Sequence, residues 1–361
     1  MSWKSGWNKP LPLGAAEMVH GATTGTCAAA AAKAAALHAR GVSVSRTLEV
    51  PLPGGERAEV ELLAWGGSRA HPWASVRKPV TEDPDATRAA VVVACLSPAD
   101  QTSFRAGTGV GTVTRPGLQL AIGEPAINPH PRRQIELALA EVGDKSWQVT
   151  ISVLGGGAIA AKTFNPRLGI VGGISILGTS GTVRPWSTEA FLASVDAHLG
   201  VVRAKGQNIA LLVPGHMGER AAARMWPGLE CVEVGNSWGA ALDLVGKHGF
   251  REVLAVGHSG KLVKIAQGQW DTHSSVGSSA ADWAWRILRH ALPARMPTID
   301  TTVGRPETLE GLFGSLDPQQ SLMASTLLAG RVARRISRRT ALPSRVHFID
   351  LTGKFVGEGS S

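Results

Sequence analysis

The chemistry this sequence can offer sits at turns built from glycine, threonine, histidine and lysine. The first is Gly21-Ala-Thr-Thr-Gly-Thr-Cys, running into an alanine tract that ends at Ala36. Thr23, Thr24 and Thr26 are suited to cap a helix beginning near Gly25, and the free N–H groups of such a helix start bind carboxylates. Read by physics alone, the same segment also describes a tightly packed core helix. Gly107, Gly109 and Gly111 form a loop whose backbone can approach a flat partner closely, or alternatively a glycine-rich flap or bulge. No strand–turn–helix context follows it, because Arg115-Pro-Gly intervenes, so a nucleotide is not implied.

Further along, Glu82, Asp83 and Asp85 surround Pro84, and Asp83 and Asp85 are candidate proton acceptors as well as ordinary turn formers. Arg115 and Arg167 offer planar forks for carboxylates, with Arg132 and Arg133 nearby in sequence to Arg115. Thr179, Ser180 and Gly181 supply hydroxyl and N–H groups. Gly257-His-Ser-Gly-Lys joins the end of a strand to the start of a helix, which suits an anion. It lacks the spacing of a nucleotide P-loop, so ATP hydrolysis is rejected. His258 and His273 are candidate acid–base groups. Gly235, Asn236, Gly257, Ser259, Gly260, Lys261 and Thr272 are candidate binding groups.

The elements that must hold these residues divide into two patterns. Up to about residue 190 the sequence reads as α+β. A helix spans 25–40 and stops at Gly41. Strands are expected at 47–50, 58–63, 89–95, 148–153 and 173–178, with a hairpin turn at Pro53-Gly-Gly and a helix over 131–141. From residue 191 to 361, three strand–glycine turn–helix units follow one another, which predicts a Rossmann-like parallel sheet. Ligands of such sheets bind beyond the carboxyl ends of the strands, where the glycine turns lie. The last residues, 346–357, read as two short strands. The fold class is therefore α/β, with an α+β domain first.

Composition narrows the partners. No apolar run is long enough to span a bilayer, and the first twenty residues contain no continuous hydrophobic region, so no membrane role and no signal peptide are expected. Cys27, Cys95 and Cys231 are far apart and form no CxxC pair, which argues against a zinc cluster or disulfide framework and for a cytoplasmic protein. The net charge of +9 calls for an anionic partner. Nucleic acid is a poor fit, because tyrosine is absent and the only dense basic run, 331–339, has the apolar spacing of a solvated helix. A small polycarboxylate fits better.

Taken together, the blocks resemble one family. Gly21-Ala-Thr-Thr-Gly-Thr-Cys-Ala-Ala-Ala-Ala is similar to the Gly-Tyr-Thr-Thr-Gly-Thr-Cys-Ala-Ala-Ala-Ala signature of the cobalt-precorrin-5B C(1)-methyltransferase (CbiD) family, with Ala22 in place of the tyrosine. Asp83-Pro-Asp-Ala-Thr, Gly107-Thr-Gly-Val-Gly-Thr-Val-Thr-Arg-Pro-Gly-Leu and Gly123-Glu-Pro-Ala-Ile-Asn-Pro resemble further blocks. The longest runs from Thr163-Phe-Asn-Pro-Arg to Thr179-Ser-Gly, and Gly235-Asn, Gly257-His-Ser-Gly-Lys and Thr272-His-Ser follow. The resemblance implies methyl transfer from S-adenosylmethionine to a ring carbon of cobalt-precorrin-5B. It also implies an anionic tetrapyrrole substrate that carries its own cobalt, and neither a nucleophilic cysteine nor a protein-bound metal. A homo-oligomer is compatible with it, and a non-catalytic tetrapyrrole-binding or carrier protein on the same scaffold is the alternative.

Overall fold

The computed structural model describes residues 21–80, 85–183, 187–273, 279–291 and 307–361. The chain divides into two compact units, Met1–Ser187 and Thr188–Ser361. The first unit contains β1 (Gly21–Ala22), α1 (Thr24–Ala39), β2 (Thr47–Pro51), β3 (Arg57–Gly67), β4 (Pro72–Arg77), β5 (Val91–Pro98) and β6 (Ser103–Ala106). It continues with β7 (Gly109–Val110), β8 (Thr112–Val113), α2 (Pro129–Ala140), β9 (Trp147–Val153), α3 (Gly156–Ala160), β10 (Ile170–Val171), β11 (Gly173–Ile174) and β12 (Thr182–Val183).

Six of these strands form a sheet in the order β2-β3-β4-β5-β9-β6, antiparallel except where β6 joins β9. Strict alternation puts Trp147, Val149, Ile151 and Val153 of β9 on the buried face. Against that face lies α1. Its alanines from Ala28 to Ala32 are fully buried, and they let α2 and strands β4 and β5 approach closely. Alanine also carries the highest helix propensity, so the same residues that allow close packing favour the helix itself. Only Lys33 of the tract reaches the surface. Its ammonium donates to the Glu49 carbonyl at 2.7 Å and pairs with Glu141 at 2.6 Å.

The strand expected at 173–178 is much shorter than its apolar run suggests. Gly173 and Ile174 pair in parallel with Gly109 and Val110, and Ile176 then makes an isolated bridge to Ile127. Gly178, at φ +143°, breaks the extension. The run is buried by several short partners rather than one long strand, which its hydrophobicity could not distinguish. Strand β4, short and proline-led, has no counterpart among the expected elements.

The second unit contains α4 (Thr188–Ala204), β13 (Ile209–Val213), α5 (His216–Met225), β14 (Cys231–Glu233), α6 (Trp238–Lys247), β15 (Glu252–His258) and α7 (Ser259–Ala266). After these come α8 (Ala280–Ala291), α9 (Leu309–Gly314), α10 (Pro318–Thr340), β16 (Ser344–Ile349) and β17 (Phe355–Ser360). Its sheet has the order β14-β13-β15-β16-β17 and is parallel apart from the β16–β17 edge. The last two strands thus extend the parallel sheet. Strands β13 and β15 are almost wholly buried, as expected for a sheet covered on both faces. The basic run 331–339 lies on α10, where Arg339 pairs with Asp243 and stacks over Trp270.

Candidate functional site

At the head of α1 the threonines bond to one another and to the chain. The Thr26 N–H donates to Thr23 Oγ1, completing a helix cap. Thr26 Oγ1 donates to the Gly181 carbonyl at 2.6 Å and accepts from Gln134 Nε2 at 3.1 Å. Thr24 Oγ1 both donates to the Leu177 carbonyl and accepts from the Leu177 N–H. The Gly25 N–H donates to the same carbonyl, and a Cβ at Gly25 would lie 2.9 Å from Pro131. The signature segment is thereby bolted to the loop 177–181 and to α2. The alanine face is covered by protein, so a flat ligand has no room against it.

The glycine loop behaves similarly. A Cβ on Gly107 would stand 2.1 Å from Ser152 Oγ, one on Gly109 2.0 Å from the Val153 carbonyl, and one on Gly111 2.4 Å from Ile170. Gly109 also sits at φ +79°. These glycines permit close approach, and the partner seen at each is the chain itself. The Arg115 guanidinium donates to the Arg167 carbonyl at 3.1 Å, and Arg167 lies over the Phe164 ring. Both arginines are half-buried. Arg132, by contrast, is committed to Glu124 and to the Ile127 and Pro125 carbonyls, while Arg133 is exposed. Thr179 and Ser180 are exposed, and Ser180 Oγ donates to the Thr182 carbonyl.

The acidic loop resolves in one part. Glu82 and Asp83 lie outside the described residues. Asp85 is held by the buried Lys78 ammonium at 2.7 Å and by the Thr87 N–H and hydroxyl. Burial works against its charge, but Lys78 and the Thr87 bonds outweigh it and hold the carboxyl below its usual range. Such a carboxylate is a weak proton acceptor, so the geometry favours a structural part for Asp85 over the base expected from sequence. Cys27 is equally quiet. Burial pushes its thiol up to about 12, only partly offset by Lys78.

In the second unit the candidate residues converge. Strands β13, β14 and β15 are parallel neighbours, and their carboxyl ends lead to Gly215, Gly235 and the His258–Lys261 turn. Asn236 Oδ1 accepts from Lys261 Nζ at 3.1 Å and from Thr272 Oγ1 at 3.4 Å. The Thr272 N–H donates to the Asn236 carbonyl, fixing that segment against the 234–236 turn. Burial lowers the Lys261 pKa. Glu233 and Asp271 oppose that shift, and Lys264 adds to it. Lys264, itself buried, donates to the His273 carbonyl at 2.7 Å, and the His273 N–H donates to Asp271.

His258 caps α7. Its Nδ1 accepts from the Gly260 N–H at 3.2 Å, which leaves the proton on Nε2, 3.4 Å from Glu310 Oε1. Ser259 is buried, and a Cβ on Gly257 would lie 2.9 Å from Pro214. The sequence reading passed over Lys264, whose one local signal is its place three residues after Lys261 on α7. Glu310 carried no local signal, since it reaches His258 from helix α9, 52 residues further along the chain. Among the described residues no group of three or more histidine, cysteine, aspartate or glutamate side chains is arranged to hold a metal ion. No described helix is long and apolar enough to cross a membrane.

Comparison with known proteins gives these geometries a context. The CbiD family model matches residues 13–185. A cobalt-precorrin-5B C(1)-methyltransferase of Syntrophotalea carbinolica is 41% identical over 342 residues, covering 93% of this chain and 96% of that protein. A protein of the same name from Ralstonia nicotianae is 38% identical over 93% of this chain and 91% of its own length. A crystal structure of the cobalamin biosynthesis protein cbiD from Archaeoglobus fulgidus is 28% identical over 72% of this chain and 83% of that one, with a TM-score of 0.39. With 41% and 38% identity to the two methyltransferases over nearly their whole length, the chain belongs to the CbiD family.

Proposed function

We propose that this protein transfers the methyl group of S-adenosylmethionine to C-1 of cobalt-precorrin-5B, giving cobalt-precorrin-6A in cobalamin biosynthesis. The name shared by relatives along nearly their whole length supports the reaction. One observation carries the donor side. Asn236, Lys261 and Thr272 meet at the carboxyl end of a parallel sheet, where a half-buried ammonium faces a polar turn. That set suits the carboxylate of an amino-acid-derived donor, because a partly desolvated cation binds an anion more strongly than an exposed one. When bound, adenosylmethionine supplies an electrophilic methyl group on its sulfonium.

The protein's own contribution is then mainly orientation, which is worth roughly 7–11 kcal/mol when donor and acceptor are held in line. Lys261 and Asn236 hold the donor. Arg115 and Arg167, linked to one another in the first unit, clamp acid arms of the substrate. His258, bonded to Gly260 on one nitrogen and facing Glu310 with the other, is the candidate proton carrier at the sheet edge. The cobalt belongs to the substrate.

The direct test is to incubate the purified protein with adenosylmethionine and cobalt-precorrin-5B and to look for a product heavier by one methyl group. Transfer is expected, and it should be lost in a Lys261→Met variant through weaker donor binding in calorimetry. Substrate binding without transfer in the parent protein would instead favour a tetrapyrrole carrier.

A further inference from the structure

The second unit carries a cationic depression that the reading above does not use. It lies between α5 and the turn from β16 to β17, with Met217, Arg220, Arg224 and Leu351 along one part. It widens to about 420 Å³ beside Lys354 and Phe355. Arg220 and Arg224 are four residues apart, on one face of α5. Among the described residues, the side chains of Arg220 and Lys354 make no hydrogen bond or ion pair. Arg224 donates to the Gly353 carbonyl, and no described carboxylate pairs with it. The nearest acid of the turn, Asp350, is folded inward. Its Oδ1 accepts from the Thr352 N–H and hydroxyl and from the Lys354 N–H. Three cations therefore face one opening whose apolar wall includes the exposed Leu351 and Phe355. A ligand that satisfies both features has carboxylates at the edge of an apolar body.

We propose that this depression is a subsite for a carboxylate arm of an anionic ring substrate, a role that rests on the function proposed above. Its position supports the assignment. Helix α5 starts just after the carboxyl end of β13, and the turn follows the carboxyl end of β16, so both walls belong to the edge that carries the other candidate residues. A polar thread also joins the two places. Glu310 Oε1 accepts from the Leu351 N–H at 3.2 Å and stands 3.4 Å from His258 Nε2. A ligand that pulled on the turn would reach His258 through Glu310.

The subsite is tested by binding, apart from methyl transfer. Cobyrinic acid, a stable corrinoid polycarboxylate, and cobinamide, its amidated counterpart, are titrated into the parent protein, an Arg220→Gln/Lys354→Gln double variant and an Arg46→Gln control. Arg46 is an exposed residue of the first unit, and its variant controls for the loss of one of the two positive charges that the double variant removes. The double variant should bind cobyrinic acid about tenfold or more weakly, as expected for loss of charge-assisted hydrogen bonds. Its cobinamide affinity, its adenosylmethionine affinity and its melting temperature should stay at parent values, and Arg46→Gln should match the parent throughout. Equal cobyrinic acid affinity in the parent and the double variant overturns the proposal. So does a site that takes pyrophosphate with the same arginine dependence while cobyrinic acid fails to compete. Absence of methyl transfer with the cobyrinic acid pattern intact would overturn the proposed reaction and leave the subsite standing.

Discussion

Two side chains that look alike in sequence end in opposite roles. Lys78 is buried and closed onto Asp85, while the half-buried Lys261 faces a turn where, among the described residues, it meets an amide oxygen and no carboxylate. An Asp85→Asn change should destabilise the first unit by about 3 kcal/mol in urea unfolding, because it leaves a buried ammonium unpaired. A base at Asp85 would instead show a fall in kcat with unchanged stability. Gly109 offers a second residue-level test. Gly109→Ala places a Cβ on the Val153 carbonyl at a left-handed φ, and should cost more than about 1 kcal/mol by the same measurement. A loop shaped mainly for a ligand would tolerate the change in stability and lose binding instead.

Helix α1 shows how one element can hold a family signature without exposing it. Its threonines tie it to the loop 177–181, and its alanines admit α2 and the sheet. Thr26→Val keeps the shape and removes the hydroxyl, leaving the Gly181 carbonyl and a Gln134 N–H with one partner fewer. A loss of about 1–3 kcal/mol is expected in thermal or urea unfolding. If stability holds while substrate affinity falls, the hydroxyl is a ligand contact after all. Helix α7 differs in kind: it is capped by the ring nitrogen of His258 rather than by a hydroxyl, so its first turn is tied to a side chain that also faces Glu310.

Across the whole molecule, acid should act on both units at once. Glu141 in the first is held at about 2, chiefly by Arg57 against the opposing effect of burial, with Lys33 adding to it. Glu230 in the second is held at about 2, first by His198 and, after an opposing burial effect, by Lys205. A depressed carboxylate contributes stability above its ordinary pKa of 4.5 and loses it as pH falls towards 2, so melting temperatures should drop across that window. His347 adds an earlier step. Burial lowers its pKa and Arg345 adds to the shift, while Glu358 opposes both; Trp226 and Phe355 flank the ring. Because the unfolded chain protonates first, stability should begin to decline as pH falls through 6.5, and His347→Leu should flatten that early part of the melting profile.

How much of this was legible in the residues follows from the range of the forces involved. Helix propensity, alternation and glycine turns act within a few residues, so the alanine helix, the β2–β3 hairpin and the three parallel units could be read directly. The family blocks were equally visible, since they are matters of order and spacing. Contacts across long separations were not. The sequence alone could not say that the closing strands extend the second sheet, that Glu310 reaches His258, or that Arg220 and Arg224 face the turn after β16. Nor could it say that the signature glycines and threonines meet protein at every approach described. By its own residues the chain determined its elements and its kinship. Only tertiary structure decided which polar groups are spent on the fold and which remain open for chemistry, because that depends on what each side chain meets in space.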